Sequence, residues 1–262
     1  MRRAGIFAPL HLPHDVIAAD FIRYLDGRDG ETNDSRRQRL DRLISHGFFA
    51  KDPTLAHVFA RVYQSEDFAV RMFMQIPSHG AVLARIALQE QDHVVILASL
   101  VNAFGGRVHG ARMPMALRWI LRLMAKHAEG RLATFVFLGE LVGVALFLAL
   151  RRRIAEKWPD NSSVLALFDE LIIDEVGHLA FNHACLTPWQ LRLARWLAQP
   201  FFLWMAWREP IARDNFRAAA SGAFSWTDIP AEILRHAWAP AAHAKSGEES
   251  PQLPRQASVP AR

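Results

Sequence analysis

Inside the apolar segment from Leu165 to Leu186 stand Asp174, Glu175, Val176, Gly177 and His178. Glu175 and His178 are three residues apart, so on a helix they share one face. That face continues through Phe168, Leu171, Asn182 and Cys185, the side that a core-facing helix buries. A carboxylate and an imidazole on a buried stripe are costly unless something neutralises them. A metal ion does so. E-x-x-H also recurs by chance, so the constraint is whether the rest of the chain supplies further ligands.

It does, in a repeated pattern. A long helix is expected from Asp52 and Pro53, where Asp caps and Pro suits the first turn. Its stripe reads Phe59, Val62, Glu66, Val70 and Phe73, and it ends near Ile76 before the break Pro77 to Gly80. A second helix, Ala81 to Ala103, puts Val82, Ile86, Glu90, His93, Leu97 and Leu100 on one face, and Gly105-Gly106 stops it. Glu66 lies twelve residues before Ser78 and Glu90 twelve after it, so both sit about 18 Å from the turn of a hairpin. A third helix, Arg131 to Lys157, carries Glu140, and a fourth starts at Ser162 or Ser163 and runs to Leu186. Glu140 is 19 residues before Pro159 and Glu175 is 16 after it, again a near match in depth. Each hairpin thus brings one lone Glu and one Glu-x-x-His to a common level. No stretch alternates with period two, so the expected class is all-α.

Other segments add organisation. A short helix is expected from His14 to Leu25, and a basic one, capped by Asp34 or Ser35, through Ile44. Arg107 to Gly130 reads as a crossover with an amphipathic basic helix from Met115 to His127. Trp189 to Trp207 is apolar, Trp-rich and interrupted by Pro200; helices from Ile211 to Ala220 and from Pro230 to Trp238 follow. The expected domains are an N-terminal helical extension (1–50), a four-helix bundle (51–187), a C-terminal helical extension packed on it (188–240) and a disordered tail (241–262).

Composition narrows the class. Hydrophobic residues make up 51% of 262, so the chain is globular rather than disordered. The single Cys185 excludes a disulfide framework and a Cys-rich zinc site, and suits a reducing compartment. Net charge is +5, yet the basic residues are spread along the chain without an RNA motif or recognition helix, so no nucleic-acid partner is expected. Phe135 to Leu150 is apolar but only sixteen residues long and holds Glu140, short of the roughly 20 residues a membrane span needs. It reads as a buried bundle helix. The basic N-terminus lacks an apolar run after it, so no signal peptide is expected.

The order Glu66, Glu90-x-x-His93, Glu140, Glu175-x-x-His178 across two hairpins and a crossover resembles the ferritin-like superfamily of non-haem di-iron carboxylate proteins, over about residues 53 to 187. The resemblance implies a ferritin-like four-helix bundle in which Glu66, Glu90, His93, Glu140, Glu175 and His178 are the metal ligands. Asp67 replaces Glu66 if the helix is rotated. Hard carboxylates with two imidazoles suit two Fe ions, or Fe with Mn. By the same resemblance Asp174 holds the free imidazole nitrogen of His93. The symmetric position before Glu90 is Gln89, so any partner it gives His178 differs in kind; Asp92 either fills that role or faces solvent. Leu171 stands where arylamine N-oxygenases of the superfamily carry an extra His, which argues against that subgroup. His183, His57 and His79 read as surface or loop histidines.

The function this implies is an O2-dependent oxygenase or oxidase acting on a small, mostly apolar substrate, with an external electron donor. Phe59, Phe73, Phe135, Phe137, Phe147 and Phe181 either line its cavity or form plain core, the simpler reading. The alternatives are a rubrerythrin- or ferritin-type peroxidase or ferroxidase, and a helical membrane-associated or interaction protein without metal chemistry. One cysteine cannot build the four-cysteine iron site that rubrerythrins usually carry. Arg118 to Leu123 and Pro200 to Trp207 are the stretches that favour membrane contact. The expected location is cytoplasmic, with peripheral contact on the inner membrane and homodimer formation left open.

Overall fold

The computed structural model describes residues 6–9, 14–28, 31–47, 49, 51–73, 81–110, 115, 119, 129–159 and 161–238. Among these the protein is all-α. Its helices are α1 (His14–Arg28), α2 (Glu31–Ser45), α3 (Pro53–Phe73), α4 (Ala81–Ala103), α5 (Glu129–Lys157), α6 (Ser162–Cys185), α7 (Pro188–Arg208), α8 (Arg213–Ser221) and the single turn α9 (Ala231–Leu234). The expected turn Pro77 to Gly80, His79 and the 241–262 tail lie outside the described residues. So does the expected helix from Met115 to His127, apart from Met115 and Trp119, which are helical and exposed.

Local chemistry sets the ends. The Asp52 carboxylate accepts from the Leu55 amide at 3.0 Å and starts α3, satisfying an amide the helix cannot. Asn161 does the same for Val164 at 3.1 Å in α6. Gly105, at φ 81°, takes the left-handed conformation that ends α4. Thr187 and Gln190 form a reciprocal capping box with Pro188 in the first turn of α7. Pro188 therefore opens a helix as well as closing one.

Three expected boundaries move. α2 begins at Glu31, so Asp34 and Ser35 lie within it. α7 runs through Pro200 without stopping; the carbonyl that Pro200 leaves without a helical donor is that of Trp196, on the exposed side where water reaches it. The helix expected to Trp238 ends at Leu234.

The two most extensive pairings inside residues 51–187 are α3 with α4 and α5 with α6, and short links make each pair antiparallel. The pairs meet through α3–α5 and α4–α6 contacts. α6 was expected to bury one stripe, but it is buried nearly all round from Leu171 to Ala184. α1, α2 and α9 cover its outer side. Phe21 of α1 stacks on Phe181 at 4.7 Å, Trp238 meets Phe21 edge-on at 5.1 Å, and the Trp238 indole donates to Asp20 at 2.8 Å. Segments from both ends of the chain are thereby tied over one helix.

One helix, Ala133–Lys157 within α5, is long and apolar enough to cross a membrane, but 83% of its apolar window is covered by other parts of the protein. That is the surroundings of a core helix.

His183 is also core, contrary to the surface or loop position expected of it; His57 is exposed, as expected. The His183 imidazole packs against Phe137 at 5.7 Å and edge-on against Trp226 at 5.9 Å. The sequence pattern of α6 hides this, because the aromatic wall comes from Phe137 on α5 and from Trp226 beyond the bundle. Burial pushes the imidazole down to about 4, the Ala8 backbone opposing only in part. A neutral buried His protonates in the unfolded chain first, so its contribution is present above about pH 6.5 and lost as pH falls toward 4. Replacing His183 with Phe should remove about 3 kcal/mol of the stability lost over that interval, by denaturant titration at each pH. Parallel pH profiles for the two proteins would contradict the assignment.

Candidate metal centre

Glu66 comes from α3, Glu90 and His93 from α4, Glu140 from α5, and Glu175 and His178 from α6; all six are buried. They fall into two groups of four whose donor atoms lie within 4.8 Å of one another: Glu66, Glu90, His93 and Glu175, and Glu90, Glu140, Glu175 and His178. Glu90 and Glu175 belong to both. Each group therefore has one imidazole and one carboxylate of its own, with two carboxylates between the groups. Such buried Glu/His groups can hold a metal ion.

The two imidazoles are held the same way round. His93 turns Nε2 toward Asp174 Oδ2 at 3.3 Å and Nδ1 toward Glu175 Oε1 at 2.9 Å. His178 turns Nε2 toward Gln89 Oε1 at 2.8 Å and Nδ1 toward Glu90 Oε1 at 2.9 Å, with Glu140 Oε2 at 3.7 Å. Both outer partners are acceptors, so with a cation inside the cluster each Nε2 would carry the proton and each Nδ1 would present its lone pair inward. A lone pair facing a carboxylate oxygen at 2.9 Å is repulsive without a cation or proton between them. His93 Nδ1, Glu175 Oε1 and Glu90 Oε2 are indeed buried without a hydrogen bond of acceptable geometry.

Electrostatics agree. Burial first, and neighbouring carboxylates second, push Glu66 and Glu140 well above the usual range, raise Glu175, and push Glu90 up to about 7. Burial alone would lower His93, but Asp174 and Glu175 outweigh it and hold the imidazole high. Two divalent ions would cancel the four carboxylate charges, where one would leave two charges stranded in a dry interior. Loading must displace the protons these groups hold, so affinity rises with pH.

α2 contributes what the sequence did not disclose. Arg36 is 1% exposed and donates to Asp174 Oδ2 at 2.7 Å, with Glu170 at 3.6 Å and Asp92 at 4.0 Å. Arg37 pairs with Asp92. Asp92 is therefore buried and paired with the exposed Arg37 and the buried Arg36, neither the partner of His178 nor a solvent-facing residue. Gln89 supplies that partner. Asp67, the alternative to Glu66, bonds Arg71 at 2.9 Å and stays outside both groups. Asn182 adds a longer contact to Glu140, 3.4 Å.

Of the phenylalanines whose side chains are described, three pack chiefly on other aromatic rings of the core. Phe59 packs on Phe104 and Phe168, Phe181 on Phe21, and Phe137 on Phe7 and His183. Phe135 is exposed, and the side chain of Phe73 lies outside the described residues. Phe147 meets the cluster, edge-on to His93 at 6.1 Å.

Comparison with protein-family models, with curated proteins and with solved structures finds no match.

Gly143 was also missed, and it follows Glu140 by one turn of α5. A Cβ there would stand 2.2 Å from Glu175 Oε2, so only glycine lets that carboxylate lie against the helix. The visible signal was a glycine interrupting a run of large apolar residues. Gly143→Ala should keep or raise the thermal midpoint, since alanine favours a helix by about 1 kcal/mol. The same variant should bind Fe(II) or Mn(II) at least about tenfold more weakly in anaerobic titration calorimetry, because a ligand has moved. Unchanged affinity would show that Glu175 has no need of that space.

Proposed function

We propose that this chain is a non-haem di-iron oxidoreductase of the ferritin-like kind, an O2-dependent oxygenase or oxidase acting on a small, mostly apolar substrate. The observation that carries the reading is the pair of overlapping four-ligand groups with Glu90 and Glu175 common to both. On this reading Glu66 and His93 would hold one ion and Glu140 and His178 the other, with Glu90 and Glu175 available to both. The chemistry such a pair supplies when bound is reductive activation of O2 for attack on an otherwise inert bond. The donor set of carboxylates and imidazoles suits Fe, or Fe with Mn.

The chain's own residues do the rest. Asp174 and Gln89 fix the tautomer of each imidazole from behind. Arg36 donates to Asp174 and anchors that carboxyl group behind His93. The apolar faces of α5 and α6 exclude water, which strengthens every charge interaction within. The order of ligands along the chain and their common depth in two hairpins support the ferritin-like bundle as the frame.

The test is oxygen uptake. Protein loaded anaerobically with Fe(II) and then mixed with O2 should consume it, with an electron donor sustaining turnover. Glu140→Ala and His178→Ala should abolish the uptake, and Asp174→Asn should weaken iron affinity or turnover about 10- to 100-fold. Full iron loading and uptake by both alanine variants would overturn the reading in favour of an interaction protein.

A further inference from the structure

α7 is apolar on two sides. One side, with Leu191, Ala194, Ala198, Phe202, Met205 and Ala206, is buried against α5 and α8. The opposite side carries Trp189, Trp196, Pro200, Leu203, Trp204 and Trp207, all exposed, with Trp196 at 73% and Trp207 at 79%. At about 100° per residue these six positions fall within an arc of about 100°, so they form one continuous stripe rather than scattered surface residues. A stripe this rich in exposed indoles is unusual on a surface bathed only in water.

Charge says what covers it. α7 contains no Asp or Glu; Arg192 lies beside one edge of the stripe and Arg208 beside the other, with Arg195, also exposed, farther round on the Arg192 side near Gly222. Arg208 also stacks over Trp204 at 5.1 Å. Beyond Trp207 the same Arg208 enters a groove of about 580 Å³ lined by Lys51, His57, Arg61, Arg107 and His109, with no acidic lining residue among those described. Glu209 pairs with Arg61 at 2.6 Å and with Arg208 at 3.4 Å and balances part of this charge. The exposed area of the stripe, dominated by its four indoles, is comparable with the roughly 800 Å² a side of a protein interface, so charge rather than area selects the occupant.

We propose that this face of α7 docks the protein on an anionic phospholipid bilayer, tryptophans at the acyl boundary and arginines against the phosphates. Indoles settle at that depth, apolar ring inward and N–H toward the headgroups, and basic flanks add attraction to an acidic leaflet. The helix lies in the interface plane and does not span it, since its other side is protein core. The inference goes beyond the oxidoreductase reading and does not depend on it.

The test uses the full chain with vesicles of phosphatidylglycerol and phosphatidylcholine in equal parts, and with phosphatidylcholine alone. The wild type should float with the acidic vesicles, far less with the neutral ones, and release as salt is raised. Brominated acyl chains should quench its tryptophan emission, a readout that needs no variant. Arg192→Gln with Arg195→Gln should weaken partitioning roughly thirtyfold, and Trp196→Ser with Trp207→Ser at least about tenfold, both with unchanged circular dichroism. No flotation and no quenching at low salt would overturn the proposal. So would a wild-type dimer that the tryptophan pair disrupts, because the stripe would then be a protein interface.

Discussion

Four carboxylates packed into one dry interior repel one another, and the rest of this structure is arranged around that fact. Glu66, Glu90, Glu140 and Glu175 each come from a different helix. No local rearrangement can therefore separate them without pulling helices apart. Their pKa values rise because burial disfavours the charged form. Apolar packing on α5 and α6 holds the group together against this cost. Cations within the group would remove that cost.

The two halves of the cluster are built alike but not electrically equal. Behind His93 stands a carboxyl partner, Asp174, itself anchored by Arg36; behind His178 stands the neutral amide of Gln89. A carboxylate makes an imidazole a stronger donor than an amide does. Ions on the two sides would thus meet different ligand fields, which leaves room for two different metals or two different redox roles.

Much of this was legible in the sequence because helical spacing encodes faces. Glu140 inside an apolar run, the two E-x-x-H pairs, and the equal distances to the turns were enough to bring six residues together before any coordinates. The caps at Asp52 and the stop at Gly105 were equally plain, since both follow from backbone groups that a helix end leaves unpaired. What spacing cannot encode is the covering of the far side. Arg36 lies 138 residues from Asp174, and nothing local marks a basic helix as the lid of an acidic pocket. His183 was misjudged for the same reason, its aromatic cage coming from Trp226 and Phe137. Gly143 matters only through a carboxylate on another helix. Pro200 failed as a breaker because the carbonyl it orphans faces outward.

The central claim is that these six side chains hold two metal ions, and counting metal tests it most directly. Protein expressed with both iron and manganese available, purified, and analysed for elemental content per chain should carry about two ions, both Fe or one Fe and one Mn. The account predicts that number to fall toward zero in Glu140→Ala with helical content intact. A wild-type chain that stays fully helical and binds no metal after anaerobic loading would contradict it, leaving four buried carboxylates neutralised by protons alone.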